Sequence, residues 1–282
     1  MVSASDLKGV SGLWRIDRTT AEVSAIAPGH VFAGDLDFNG WSPDARKIYY
    51  HQMRTRSGDQ VLVLFERDIA SGLEREIYQA GPWFVASLSA DGKNLYYRQG
   101  KAYVSEPSGL PAALIERDLA SGVERELIRG NLGGVALSPD GRYLATSNVD
   151  LATKSQSIML VPVAGGEPRV LMRVALPQSV IDRWMLAKNL NQLNMLRILW
   201  APDSRSLVVE HTQAKPEQWW VPVDGREPAK RVSLGVNLWN VRVHPDGRRI
   251  AIAEQQARRA DDVWVLENFL PKAARKTTAS RR

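Results

Sequence analysis

The sequence contains no cysteine, which excludes disulfides, thiolate catalysis and cysteine-ligated metals. Histidine is scarce too: His30, His51, His211 and His244 lie far apart, with no His-x-His or His-Glu-x-x-His spacing to hold a transition metal. No metal or other cofactor is therefore expected. No apolar run approaches the ~18 residues that a membrane span needs. Residues 1–8 show no basic segment leading into an apolar one, so they are read as carrying no secretory signal. A Gly-x-Ser-x-Gly elbow is also missing, which argues against a serine hydrolase domain. The Gly-rich stretch from Arg129 to Gly134 lacks the Lys-Ser/Thr of a phosphate loop and leads into a strand pattern.

What is present is an ordinary globular balance, 44% hydrophobic and 24% charged, in 282 residues. The net charge of +6 falls to +1 once Lys272, Arg275, Lys276, Arg281 and Arg282 are set aside. A near-neutral body with a basic tail does not favour nucleic acid, which calls for a basic stripe on the folded surface. Residues 272–282 read as a disordered, solvated end.

The chain is organised by a recurring bend. Val135-Ala136-Leu137-Ser138-Pro139-Asp140-Gly141-Arg142-Tyr143-Leu144 places two apolar strands around a turn in which Pro presets φ and Gly takes the left-handed position. Related bends centre on Asp44, Asp91, Asp203 and Asp246, at intervals of 47, 49, 63 and 43 residues along the series. A period of roughly 40 to 50 residues marks propeller blades or other stacked units. The repeated aspartates read as turn-stabilising residues, since bends on different units would hold them well apart. Ala45 and Ser204 stand where Gly is expected, which predicts strained or remodelled turns there.

Each repeat continues into a second pair of strands. Residues 66–77 and 116–127 are near duplicates that share Glu-Arg-Asp, Ala-Ser-Gly and Glu-Arg-Glu. Their alternating charges suit an outer strand facing water. Later copies turn on Gly165-Gly166 and Asp224-Gly225, both strong hairpin signals. Strand, turn, strand, loop, strand, turn, strand is the meander of one propeller blade. The predicted fold is all-β, a propeller of four-stranded antiparallel blades. Five repeats follow an N-terminal half-blade built from residues 12–17 and 22–26, giving five or six blade positions. Because the rhythm starts in mid-blade, a portion of a larger propeller is favoured over a closed five-blade ring. Residues 1–271 form the propeller domain, and helix formers around 177–195 predict an inserted helix or long loop, either lid or packing element.

With its Ser-Pro-Asp-Gly bends after apolar strands, the chain resembles the TolB-type β-propellers from about Leu13 to Leu270. That resemblance specifies fold far better than function. It implies TolB itself, the propeller domains of prolyl oligopeptidases and sensor modules of larger bacterial proteins as relatives, and with them either a periplasmic or a cytoplasmic setting. The expected function is a non-catalytic module that binds a protein or peptide through its loop face. Aromatic and basic residues of that face are the candidate contacts: Arg54, Arg56, Trp83, Phe84, Trp184, His211, Arg258 and Arg259, with His30 and Phe32 nearby. The alternatives are an enzyme of lyase or lactonase type with a site in the central channel, and the accessory propeller of a truncated oligopeptidase-like protease.

Overall fold

Among the described residues, six antiparallel sheets follow one another along the chain. The computed structural model describes residues 2–7, 10–16, 20, 22–28, 38–42, 44, 46–80, 86–99, 112–187, 196–211, 217–233, 238, 241–243, 249–254 and 262–267. The first sheet holds β1 (Val2–Leu7), β2 (Val10–Ile16) and β3 (Val23–Pro28). The second holds β4 (Phe38–Trp41), β5 (Lys47–Arg56), β6 (Asp59–Asp68) and β7 (Glu74–Ala80). The third is β8 (Ala86–Leu88), β9 (Asn94–Gln99), β10 (Ala112–Asp118) and β11 (Glu124–Gly130), and the fourth is β12 (Leu132–Leu137), β13 (Tyr143–Asp150), β14 (Ser155–Pro162) and β15 (Arg169–Ala175). The helix α1 (Gln178–Ala187) then precedes the fifth sheet, β16 (Leu196–Trp200), β17 (Ser206–His211), β18 (Glu217–Pro222) and β19 (Lys230–Val232). The sixth has β20 (Val241–Val243), β21 (Arg249–Glu254) and β22 (Asp262–Glu267). One expectation is corrected here. The first sheet has three strands instead of two, because the polar stretch before β2 pairs with it from Val2↔Arg15 to Leu7↔Val10.

Within each complete sheet the strands lie in chain order, and the leading strands neighbour one another: β4 lies beside β8, β8 beside β12 and β12 beside β16. The leading strands are therefore innermost and the fourth strands outermost. Burial is deepest in the middle strands and least in the outermost. All six residues of β17 are buried, whereas β11 begins with three exposed residues, Glu124, Arg125 and Glu126.

The core is a set of wedges between sheets, assembled by the alternation of strand side chains. Tyr97 and Leu95 face back to Tyr49, Leu62 and Leu64 of the second sheet, while Tyr96 and Leu114 face forward to Leu132, Leu144 and Val161 of the fourth. Ala145, Ile158 and Leu160 then meet Leu196, Trp200, Leu207, Val209 and Trp219 of the fifth. Each such large side chain contributes about 1.5–3 kcal/mol when fully buried. Hydrogen bonds tie inner strands across a wedge: Trp200 Nε1 donates to the Ala136 carbonyl at 2.9 Å, while Ser87 Oγ donates to the Val135 carbonyl at 3.2 Å and accepts from the Leu137 amide at 3.3 Å.

A candidate interaction face at the loop end of the sheets

The two ends of the sheets are chemically unlike. At one end sit the Asp-centred bends, and their hydrogen bonds are largely used up within the turn. Ser138 Oγ donates to Asp140 Oδ1 at 2.6 Å and accepts from the Tyr143 amide at 3.0 Å, while Asp140 Oδ1 accepts from the Arg142 amide at 3.1 Å. The bends at Asp44 and Asp91 repeat this, with Ser42 and Ser89 donating at 2.5 and 2.6 Å. These bonds stabilise the ionised form, and the hydroxyl contacts lead in holding the Asp44 and Asp91 carboxyls below the ordinary range. The fourth bend has Ala201 in the serine position, and Asp203 keeps the Arg205 amide at 2.9 Å. The bend at Asp246 lies outside the described residues.

The outer strands belong to a similar network. Arg67 and Arg117 pair with Glu74 and Glu124 at 3.3 and 2.6 Å, and Arg75 and Arg125 pair with Glu66 and Glu116 at 3.3 and 2.5 Å. Tyr96 and Tyr97 donate their hydroxyls to Glu116 and Glu124 at 3.1 and 2.7 Å. The Glu-Arg-Glu pattern thus does more than meet water: it takes up the hydroxyls of tyrosines whose rings fill the wedges.

The opposite end carries the features that do not repeat. The hairpin of β5 and β6 pairs without a break from Lys47↔Asp68 to Arg56↔Asp59, closed by Ser57 and Gly58 at φ 52° and 88°. Relative to its bend, β5 runs four residues further than β17, about 13 Å of extra strand. The tip folds back on its own sheet. Arg56 grips the Glu76 carboxylate with both oxygens at 2.5 and 2.6 Å and reaches Gln79 at 2.8 Å, and the Arg54 guanidinium lies 5.4 Å from the Phe65 ring centre. Two sheets on, the β13–β14 turn carries Lys154 at φ 49°, whose ammonium donates to Gln178 Oε1 at 3.1 Å. The helix α1 begins there and is seated by Val180 and Leu176 against Val149, with Leu151 and Ile181 around them.

Beneath this end, the second strands carry polar residues that are nonetheless buried: His51 and Gln52, Ser147, Glu210 and His211. His211 was expected on a loop. Instead it closes β17, pairs in register with Leu196 and Glu217, stands edge-on to Trp219 and is 8% exposed. Burial leads in pushing its imidazole pKa below the ordinary value, against the attraction of Glu217. Of the other expected contacts, Arg54 and Arg56 are exposed at the hairpin tip and Trp184 lies in α1. Trp83, Phe84, Arg258, Arg259, His30 and Phe32 lie outside the described residues. The described candidates are spread over that end: Arg54 and Arg56 on β5 of the second sheet, Trp184 on α1 and His211 on β17 of the fifth. Among the described residues no three His, Cys, Asp or Glu side chains gather as a metal site, and no helix is long and apolar enough to cross a membrane.

Sheets in chain order around neighbouring first strands are the plan shared with several solved structures. TolB from Acinetobacter baumannii superposes with a TM-score of 0.63 at 14% identity over 95% of this chain. The fold is a TolB-type β-propeller. The chain spans 60% of the length of that TolB. A putative TolB from Agrobacterium tumefaciens gives a TM-score of 0.58 at 14% identity, covering 89% of this chain and 82% of its own. An oligogalacturonate lyase in complex with manganese also gives 0.58, at 13% identity, covering 94% of this chain and 73% of its own. No family model matches the sequence, and no curated protein is similar to it in sequence. One TolB-type scaffold thus serves proteins named for a lyase activity and proteins that are not.

Proposed function

We propose that this propeller is a non-catalytic binding module that engages a protein or peptide partner through the loop end of its sheets. The contrast between the two ends carries the reading. At three of the four described bends the serine, aspartate and amide groups already satisfy one another, so this end offers a partner little unfilled hydrogen bonding. The loop end presents the extended β5–β6 hairpin, the β13–β14 turn and α1, three dissimilar features on a rigid scaffold, which is how selective surfaces are built. Arg54 and Lys154, with Trp83, Phe84, Trp184, Arg258 and Arg259, are the proposed contacts. Arg56 supports the hairpin through Glu76, and His211 supports the β17 end from below. The partner is accordingly a polypeptide with acidic and apolar groups. Catalysis at the hub, as a lyase of like fold would use it, is the rival reading.

The test compares the two ends. The purified chain captures partners from an extract of its source cells, with Arg54→Glu, Lys154→Glu and Trp83→Ala as loop-end variants and Lys93→Glu and Arg142→Glu as bend-end variants. Each variant is first shown to keep the wild-type circular dichroism. The loop-end variants are expected to lose a wild-type partner at least about tenfold, the size of one charge-assisted contact, while the bend-end variants retain it. Equal capture by all five, or loss confined to the bend-end pair, overturns the proposal.

A further inference from the structure

The residue seven places after each turn aspartate lies in the far half of β9, β13 and β17 and midway along the longer β5, on the face turned to the following sheet. It is never a plain apolar residue in the second to fifth sheets: His51, Arg98, Ser147 and Glu210. Two of these residues make equivalent contacts. Arg98 donates from its guanidinium to the Leu132 carbonyl at 2.9 Å, and Glu210 Oε2 accepts from the Leu238 amide at 3.1 Å. Leu132 and Leu238 occupy the same place in their repeats, eight residues before Asp140 and Asp246: Leu132 opens the inner strand β12, and Leu238 stands three residues before β20. The chemistry differs but the task is the same. In each case a side chain of the preceding sheet supplies the complement of a main-chain group at the start of the next one.

We propose that this position is an inter-sheet latch, and that Glu210 is the latch that docks the sixth sheet on the fifth. Glu210 is fully buried, and it is the single carboxylate in the buried set of the described residues. Its Oε2 is fixed from the other side by the Gln218 amide at 2.8 Å, a neighbour in register on β18. Among the described residues its Oε1 has no partner, and the carboxylate is held in the wedge by this pair of bonds on Oε2. A buried carboxylate held by two donors loses its anchor when either goes, which makes the junction before β20 responsive to a single side chain.

Hydrogen exchange read by mass spectrometry tests this on the whole chain. Glu210→Gln keeps the shape and weakens the acceptor; Glu210→Ala removes it. Amides of residues 238–254 are expected to exchange about ten- to a hundredfold faster in Glu210→Ala, the loss of one hydrogen bond to a charged group, and by less in Glu210→Gln, with the second and third sheets unchanged. Arg98→Ala is expected to speed residues 132–137 and leave the sixth sheet alone. Acceleration spread evenly over all sheets, or none at residues 238–254 in either Glu210 variant, overturns the latch. Should Glu210→Ala fail to fold, the ratio between sheets in Glu210→Gln decides it.

Discussion

The hydroxyl of Ser204 accepts a 3.0 Å hydrogen bond from the backbone amide of Asp140, joining the bend of the fifth sheet to the bend of the fourth. Ser204 stands where the repeat calls for glycine, and it does hold the left-handed conformation, at φ 58°. The strain expected from the sequence is present. What the sequence did not reveal is the compensation: a buried side chain, 7% exposed, that glycine could not provide.

Replacing Ser204 separates these effects. Ser204→Ala keeps the left-handed strain and removes the acceptor, for an expected cost of about 1–2 kcal/mol. Ser204→Gly removes the same acceptor but relieves about 1 kcal/mol of strain. Urea unfolding should therefore rank wild type above Ser204→Gly and Ser204→Ala lowest. A glycine variant more stable than wild type would show that the bond between sheets is worth less than the strain.

Gly92 is the reverse case. It lies at φ +71°, and a Cβ built there runs into the Tyr49 hydroxyl of the preceding sheet. That hydroxyl also donates to Glu66 Oε2 at 3.3 Å, and burial leads in raising its pKa to about 12, so it has little freedom to withdraw. Gly92→Ala is expected to cost roughly 2–3 kcal/mol, the sum of left-handed strain and overpacking. Adding Tyr49→Phe removes the obstructing oxygen and should recover the steric part. If the double variant is no more stable than the sum of the single changes predicts, the two residues do not meet as described.

These positions also show what the sequence could and could not convey. The bends were legible because Ser-Pro-Asp-Gly chemistry is local: Ser138, Asp140 and Tyr143 bond one another whatever surrounds them. The four-stranded meander followed from the spacing. The candidate contacts were harder to place, because tertiary packing decides where a polar residue at a strand end points. His211 follows the apolar run Leu207-Val208-Val209 and was expected on the loop face, yet it and the preceding Glu210 are buried. Arg54 and Arg56 read as free loop tips, and the fold turns them onto Phe65 and Glu76. A signal for the buried set did exist: a polar residue seven places after the turn aspartate in four successive repeats. β1 was missed because Val2-Ser3-Ala4-Ser5-Asp6-Leu7 has too few apolar residues to declare a strand before its partner is known.

The serine of the bend should be separable from its aspartate. Burial works to raise the Asp140 carboxyl, but the Ser138 hydroxyl and Arg142 outweigh it and set the pKa below the ordinary value. A depressed aspartate stabilises the fold above its unfolded pKa of about 3.9, and that contribution fades as pH falls through the folded value. Ser138→Ala leaves the Tyr143 amide without its side-chain acceptor and removes the donor to Asp140, at a cost of about 1–2 kcal/mol near neutral pH. The Asp140 resonance in a carbon-detected NMR titration should then shift to higher pKa. An unmoved midpoint would mean that Arg142 alone holds the carboxylate.

His211 gives the opposite pH dependence. Its folded pKa is lowered from 6.5, chiefly by burial, so the unfolded chain binds the proton more readily than the folded one. Stability from this residue is therefore complete above about 6.5 and declines as pH falls below that value, levelling off once the folded form also protonates. A protonated imidazole at this site would be a buried cation, with Glu217 across the strand pair as its available counter-charge. Urea midpoints measured from pH 8 to pH 5 should drop in wild type, and the drop should be smaller in His211→Leu, which cannot take the proton. Equal slopes for the two proteins over that interval would place the acid sensitivity elsewhere in the chain.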